Sequence, residues 1–254
     1  NTLSVGTVQQ ALVKYMLRDH PEIGTTGGSV NVVVGECNDG YLNDIRACCI
    51  QEEDVYDAIK DAKENFELGA VGAGRGMSCF EMKGGIGSAS RVIVLDESDY
   101  TVGALVLSNF GLQGDYITDS ISFREYLNEQ VEQGSIIIVL ATDIPMSDRQ
   151  LKRLCKRMPV ALARLGSHLG NGSGDIVIAF STANKFPHES KSSFLSQSVL
   201  HEQQIDKVFR AAIEACEEAI QSSLDAAETV VGREGHCRYS LKDTLIGREK
   251  EKVK

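Results

Sequence analysis

Apolar side chains recur every three to four residues in four segments of the chain, which is the spacing of one buried face of an α-helix. The segments are 2–18, 51–66, 147–165 and 201–231. The second segment is largely polar, so it predicts a helix on the surface. Pro159 falls inside the third segment and has no backbone N–H to donate, so we expect a kink or a break there.

Continuous apolar runs rich in β-branched residues predict buried strands between these helices. They cover residues 30–34, 91–95, 100–107, 135–141 and 175–180. The turn-forming residues 96–99 join the second and third runs, which predicts a β-hairpin. Residues 123–133 fit either a short helix or a loop. Because helices flank the strands without alternating with them regularly, we predict a layered α/β protein with a mixed or antiparallel sheet.

The composition predicts one sizeable hydrophobic core and an acidic surface. The 254 residues are 42% hydrophobic, and 36 acidic residues outnumber 26 basic ones, for a net charge of -10. This balance argues against nucleic acid or a membrane surface as the main partner. No apolar run is long enough to span a membrane, and no signal peptide is visible at Asn1. Seven scattered cysteines without metal-binding spacing favour a reducing compartment, so we expect a cytoplasmic protein.

Glycines are concentrated between residues 69 and 87, and the Gly-Ala-Gly-Arg-Gly sequence at 72–76 has the look of a phosphate-binding loop. The Gly-Lys-Ser/Thr of a P-loop is missing, however, and the residues that follow leave little room for a helix. We therefore predict that these glycines allow backbone segments to pass close to each other. His168 precedes a second glycine-rich stretch, 170–175, and is interpreted as a loop residue.

The pair Gly134-Ser135 stands at the start of the most β-prone run of the chain, directly after a polar loop. A small residue before the serine leaves the peptide carbonyl open to the neighbouring hydroxyl. If the chain is cut there, the freed α-amine, with an unperturbed pKa of about 8, can act as a base for its own hydroxyl near neutral pH. Gly-Ser pairs also occur as ordinary turns before strands. The segment alone is compatible with both interpretations.

A set of short motifs, spread in order along most of the chain, distinguishes between them. The motifs lie at 2–6, 33–44, 69–74, 83–87, 100–103, 108–111, 134–135, 172–175 and 179–182. Together they resemble the D-aminopeptidase/β-aminopeptidyl peptidase family, of the L-aminopeptidase/D-esterase type. The resemblance implies a four-layer αββα sandwich of the ornithine acetyltransferase-like type and self-cleavage between Gly134 and Ser135.

The same resemblance implies a catalytic role for four residues. Ser135 corresponds to the nucleophile and Asn109, in Ser-Asn-Phe-Gly, to an amide that helps to hold the oxyanion. A neutral N–H donor of this kind can stabilise a developing charge by about 3–4 kcal/mol. Ser173 and Asp175 correspond to a serine and an acid near the amine of the nucleophile, where an acid would hold an ammonium. Without the family, each of these residues also fits an ordinary turn or loop.

Three residues of the 33–44 motif are candidates for substrate binding. Glu36 corresponds to a carboxylate that binds the free amine of the substrate, although most acids simply lie in water. Asn38 stands where relatives often have an aromatic residue. Tyr41 is near that position but out of register with it. The contribution of an aromatic side chain therefore stays open.

The predicted protein is a serine aminopeptidase without metal or cofactor that acts on short peptides or amino-acid amides and esters. Residues 1–134 would form the larger fragment and 135–254 the smaller one, together a single structural domain. The resemblance implies a substantial segment before the position of Asn1. We expect either that the larger fragment lacks this part or that the part lies outside residues 1–254. A homo-oligomer is expected from the family. The alternatives are an acyltransferase, which Ser135 disfavours because those relatives use Thr, and a non-catalytic member that binds small amines.

Overall fold

The computed structural model describes residues 1–117 and 132–252, so most of the segment 123–133 lies outside the described residues. All four predicted helices are present, although the second ends earlier than predicted. The helices are α1 (Val5–Asp19), α2 (Glu52–Lys60), α3 (Asp148–Cys155), α4 (Met158–Arg164), α5 (Ile205–Asp225) and α6 (Leu241–Lys252). The predicted break is confirmed, because the third segment divides into α3 and α4 and Pro159 lies in the first turn of α4.

The strands form one larger sheet and two small ribbons. The larger sheet contains β3 (Gly85–Leu95), β4 (Ser98–Asn109), β5 (Gln133–Thr142) and β6 (Gly172–Ser181) in that spatial order. The ribbons pair β1 (Ser78–Cys79) with β2 (Met82–Lys83) and β7 (Val230–Val231) with β8 (Cys237–Arg238). In the larger sheet β3, β4 and β5 are antiparallel neighbours, whereas β5 and β6 are parallel. The predicted hairpin and the mixed sheet are therefore confirmed.

The hydrophobic core lies between one face of this sheet and α5. Alternate residues of β5 (Ile136, Ile138 and Leu140) are buried in this core, and α5 packs against the neighbouring strands β3 and β4. The helix comes very close to the sheet at Gly87, where a Cβ would lie 1.8 Å from the carbonyl oxygen of Ala219. Glycine is required at this position because any side chain would push the helix away.

The other face of the sheet, which carries Leu105, Ile176, Ile178 and Phe180, exposes apolar side chains. Between 39% and 48% of the surface of each of these residues is accessible. The predicted αββα sandwich needs a second sheet, and the described residues contain only one four-stranded sheet. An exposed apolar sheet face is the kind of surface that a second sheet covers. The sandwich thus stays a prediction, while the α/β class is confirmed.

The predicted strand at 30–34 is wrong, since these residues have no regular secondary structure. Val33 is 79% exposed, and no strand of the described residues pairs with the segment. The segment instead crosses the outer face of the sheet, where a Cβ on Gly35 would lie 2.9 Å from the Cδ1 atom of Ile137. This path brings the following residues, 36–38, to the start of β5.

All seven cysteines lie within the described residues, and all are free thiols. None of the helices within 1–117 and 132–252 combines the length and the apolar character that crossing a bilayer would require.

Candidate active site

The end of β4 and the start of β5 bring two of the predicted residues together. Asn109 and Ser135 are direct partners in the antiparallel register, so their side chains leave the sheet on the same face. Both are nearly buried, with 7% and 9% of their surface exposed. The Nδ2 atom of Asn109 lies 3.4 Å from Oγ of Ser135. An N–H donor therefore faces the hydroxyl that the sequence predicts as the nucleophile.

The amide of Asn109 is held at both ends. Its Oδ1 accepts a hydrogen bond from the backbone N–H of Ser78 at 2.8 Å, and its Nδ2 donates to the carbonyl oxygen of Asn38 at 3.1 Å. A backbone N–H can only donate and a carbonyl can only accept, so these partners fix which end of the amide is the NH₂ group. The donor is thus directed toward Ser135 before any substrate binds.

Gly134 has no room for a side chain. A Cβ at this position would lie 2.5 Å from the carbonyl oxygen of Asn109 and 2.8 Å from Cα of Phe110. The backbone of β4 therefore packs directly against Gly134. This contact places the Gly134–Ser135 peptide bond beside the residue that carries the amide donor.

Ser173 and Asp175 lie on the neighbouring strand β6, where they hydrogen-bond to each other. The Oγ atom of Ser173 donates to Oδ1 of Asp175 at 2.8 Å. Gly174 is the register partner of Ser135, and a Cβ on it would be 3.8 Å from that of Ser135. Successive side chains of a strand alternate between faces. Ser173 and Asp175 therefore flank the backbone of Ser135 from the face opposite to its hydroxyl.

The 36–41 segment meets the site through its backbone more than through its side chains. Asn38 contacts Asn109 with its carbonyl oxygen, while its own Oδ1 accepts from the N–H of Gly40 at 2.8 Å. Glu36 is exposed at the surface two residues before Asn38. Its carboxylate is accessible to a ligand that approaches along this segment.

Tyr41 is engaged elsewhere. Its ring stacks on His236 with a centroid distance of 4.8 Å, and the guanidinium carbon of Arg238 lies 3.7 Å from its ring centroid. The Nε atom of Arg238 also donates to Oγ of Ser78 at 3.0 Å. Tyr41 is therefore connected to the site through Arg238 and Ser78.

Cys37 is a site residue that the sequence analysis missed. It is 3% exposed, and its thiol donates to the carbonyl oxygen of Leu107, with 3.7 Å between Sγ and the oxygen. Burial raises the pKa of the Cys37 thiol to about 11, which outweighs the opposing effect of the neighbouring Ser135 side chain. The thiol therefore stays protonated at neutral pH and does not compete with Ser135 as a nucleophile. Its position between Glu36 and Asn38 gave the only signal in the sequence.

Glu132, three residues before Ser135, is a second missed residue. Its side chain is 1% exposed and accepts hydrogen bonds from the backbone N–H groups of Gly111 at 3.0 Å and Gly170 at 2.9 Å. His168 lies in a loop, as predicted, with its Nε2 atom 3.5 Å from this carboxylate. Glu132 thus ties the loop after Asn109 to the loop that leads into β6.

Lys83 is a third missed residue, and it lies inside the glycine-rich region. Its fully buried side chain donates from Nζ to the carbonyl oxygens of Gly74 at 2.7 Å, Met77 at 2.8 Å and Gly84 at 2.6 Å. The prediction of close backbone contacts is confirmed here. A Cβ on Gly74 would lie 2.4 Å from the carbonyl oxygen of Gly69.

A family model described as peptidase family S58 matches residues 1–238 of the chain. The chain is 39% identical over 256 residues to β-peptidyl aminopeptidase BapA of Sphingosinicella microcystinivorans, covering 93% of this chain and 64% of that protein. It is 29% identical to BapA of Sphingosinicella xenopeptidilytica, of which it covers 66%. The chain thus spans about two thirds of the length of these curated relatives.

Among solved structures, the PH0078 protein of Pyrococcus horikoshii OT3 is 49% identical, with a TM-score of 0.89, over 98% of this chain and 70% of that one. The L-aminopeptidase D-Ala-esterase/amidase of Ochrobactrum anthropi, described as a prototype of the serine aminopeptidases with a variant Ntn hydrolase fold, is 33% identical. Its TM-score is 0.86 over 99% of this chain and 72% of that one.

Proposed function

The chain belongs to peptidase family S58, and we propose that the protein is an autoprocessed N-terminal serine aminopeptidase. Its substrates would be short peptides, amides or esters with a free N-terminal amine. The observation that carries the proposal is the pairing of Ser135 with Asn109, whose Nδ2 atom lies 3.4 Å from the serine hydroxyl. The described residues thus provide a nucleophile and an oriented donor at the bond to be cut.

The first reaction in this proposal is self-cleavage. Oγ of Ser135 attacks the carbonyl carbon of Gly134, and the C–N bond breaks as an ester to the serine oxygen forms. The proton of the hydroxyl passes to the departing nitrogen, which becomes an amine. Water then hydrolyses the ester. The products are residues 1–134 with a new carboxylate and 135–254 with a free α-amine. Gly134 supports this step because, without a Cβ, its backbone packs directly beside Asn109, next to the bond to be cut.

The second reaction is turnover of a substrate. The α-amine of Ser135 takes the proton of its own hydroxyl as Oγ attacks the substrate carbonyl, and Asn109 donates to the resulting oxyanion. The protonated amine then gives its proton to the leaving amine, which leaves an acyl ester on Ser135. Water hydrolyses this ester and regenerates the hydroxyl. The Ser173–Asp175 pair would hold the ammonium form, since it flanks the backbone of Ser135.

Recognition of the substrate amine is assigned to Glu36. Its exposed carboxylate lies two residues from Asn38, whose carbonyl binds the oxyanion donor. A cationic amine paired with Glu36 would place the first amide bond of a peptide near Ser135, which favours an aminopeptidase over an endopeptidase. Asn38 and Tyr41 would border the same entrance. A cytoplasmic location is supported by the seven free thiols, and a homo-oligomer by the family alone.

Product analysis on purified protein tests this function. The protein is incubated with a short peptide, with the same peptide acetylated at its N-terminus, and with an amino-acid amide. We expect release of the N-terminal residue from the free peptide and the amide, and none from the acetylated peptide. Ser135→Ala serves as the control without a nucleophile. Cleavage of the acetylated peptide, or equal release by the Ser135→Ala variant, would contradict the proposal.

A further inference from the structure

Lys83 is a buried basic residue to which the proposed reaction gives no role. None of its surface is exposed, and no carboxylate within residues 1–117 and 132–252 forms an ion pair with it. Burying a cation without a counter-ion costs several kcal/mol. Three carbonyl oxygens surround its Nζ atom at 2.6–2.8 Å. The site is therefore built to hold this one group.

The three acceptors match the ammonium form. An ammonium has three N–H donors, one for each carbonyl, whereas a neutral amine has two and would direct its lone pair at an oxygen. Burial lowers the pKa of Lys83 to about 7, and the nearby guanidinium of Arg75 adds to this effect. The thiol of Cys79 acts in the opposite direction. The ammonium therefore predominates below neutral pH.

One of the three carbonyls connects Lys83 to the oxyanion donor. The peptide group between Met77 and Ser78 accepts from Nζ of Lys83 at its oxygen (2.8 Å) and donates from its N–H to Oδ1 of Asn109 (2.8 Å). Asn109 in turn directs Nδ2 at Ser135. Lysine, peptide group, side-chain amide and serine thus form one continuous chain of hydrogen bonds.

In such a chain, each hydrogen bond polarises the next. A cation at the peptide oxygen makes the N–H a stronger donor, which in turn makes the Asn109 NH₂ a stronger donor, by about 10–30% per bond. The gain is largest when negative charge has developed on the reacting oxygen, so it acts on the transition state more than on the resting state.

We propose that Lys83 is a positioning residue for the chemistry at Ser135. Its ammonium fixes and polarises the Met77–Ser78 peptide group, and this group orients and strengthens Asn109 as the donor to the oxyanion. The inference rests on the proposed self-cleavage. The alternative is a purely structural role, in which Lys83 only stabilises the glycine-rich region between residues 69 and 87.

Self-cleavage of Lys83→Met, measured slightly below pH 7, tests the proposal. Methionine has a similar length and no charge. We expect cleavage to be about tenfold slower than in wild type, less than the ~10²–10³-fold lost when a direct donor is removed. In an Asn109→Ala background the same substitution should change the rate less than twofold, because the route to the oxyanion is already broken. Leu154→Ala, in the core on α3, controls for a general loss of stability.

The pH profile provides a readout that a structural role would not change. The ratio of wild-type to Lys83→Met cleavage rates should fall toward one as the pH rises past about 7, where Lys83 itself loses its proton. If Lys83→Met does not fold, Lys83→Arg, which keeps the charge, is compared with Lys83→Gln, which lacks it. Faster cleavage by the Arg variant supports the proposal, and equal rates overturn it.

The possible results distinguish a failure of the role of Lys83 from a failure of the proposed self-cleavage at Ser135. Two results would overturn only the role of Lys83 while wild type still cleaves. In the first, Lys83→Met cleaves at the wild-type rate. In the second, Lys83→Met slows cleavage as much in the Asn109→Ala background as it does in wild type. Wild type that does not cleave overturns the proposed function, and the role of Lys83 with it.

Discussion

Replacing Asn109 with alanine tests the oxyanion donor directly. The substitution removes the Nδ2 group that lies 3.4 Å from Oγ of Ser135. Loss of one such donor slows acyl chemistry by about 10²–10³-fold, or roughly 3–4 kcal/mol. It also leaves the N–H of Ser78 and the carbonyl of Asn38 without their partner. Leaving such a group unsatisfied costs about 1–3 kcal/mol of stability.

The assay is a time course of self-cleavage, followed by intact mass at a temperature where the variant is still folded. Asn184→Ala is a matched control, because the Asn184 amide also accepts from one backbone N–H and donates to one backbone carbonyl, both of Ser198. We expect slow cleavage only in Asn109→Ala. Cleavage of the folded Asn109→Ala variant at the wild-type rate would refute the assignment of this amide as the oxyanion donor.

Three further predictions concern neighbouring positions. Gly134→Ala should slow self-cleavage and lower the unfolding temperature, since a Cβ there would lie 2.5 Å from a backbone oxygen of β4 and overpacking costs about 1–3 kcal/mol. An unchanged cleavage rate together with an unchanged unfolding temperature would contradict the packing argument. Glu132→Gln should destabilise the protein by about 1–3 kcal/mol in denaturant unfolding, because an amide can accept from only one of the two backbone N–H groups with an oxygen while its NH₂ faces the other. Cys37, whose pKa is raised to about 11, should resist iodoacetamide in the native protein at mildly alkaline pH, while the exposed Cys48 and Cys49 react. Peptide mass mapping measures the three reactions. Modification of Cys37 at a rate comparable to the other two would show that its thiol is not buried.

The sequence pattern predicted those elements whose stability is local or comes from a single buried face. Helical spacing identified α1 and α5. Pro159 located the division between α3 and α4, because a proline cannot donate the backbone hydrogen bond of a helix interior, whatever its tertiary surroundings. The strand predicted at 30–34 failed for the opposite reason. A strand needs a partner, and no described strand pairs with this apolar segment.

The site was predictable only in part for a related reason. Ser135 and Asn109 were named from motif resemblance, and the register of β4 and β5 then placed them side by side. Lys83 and Glu132 were missed because their partners are backbone groups. Main-chain carbonyls and N–H groups occur at every position, so no residue type marks the place where a buried side chain will meet them.

The most direct test of the central claim is the intact mass of purified wild-type protein beside Ser135→Ala. We expect two wild-type fragments, 1–134 and 135–254, whose masses sum to the 27.6 kDa chain plus one water, and an undivided Ser135→Ala chain. Wild type that remains whole, or Ser135→Ala that divides at the same bond, would contradict Ser135 as a self-liberated nucleophile.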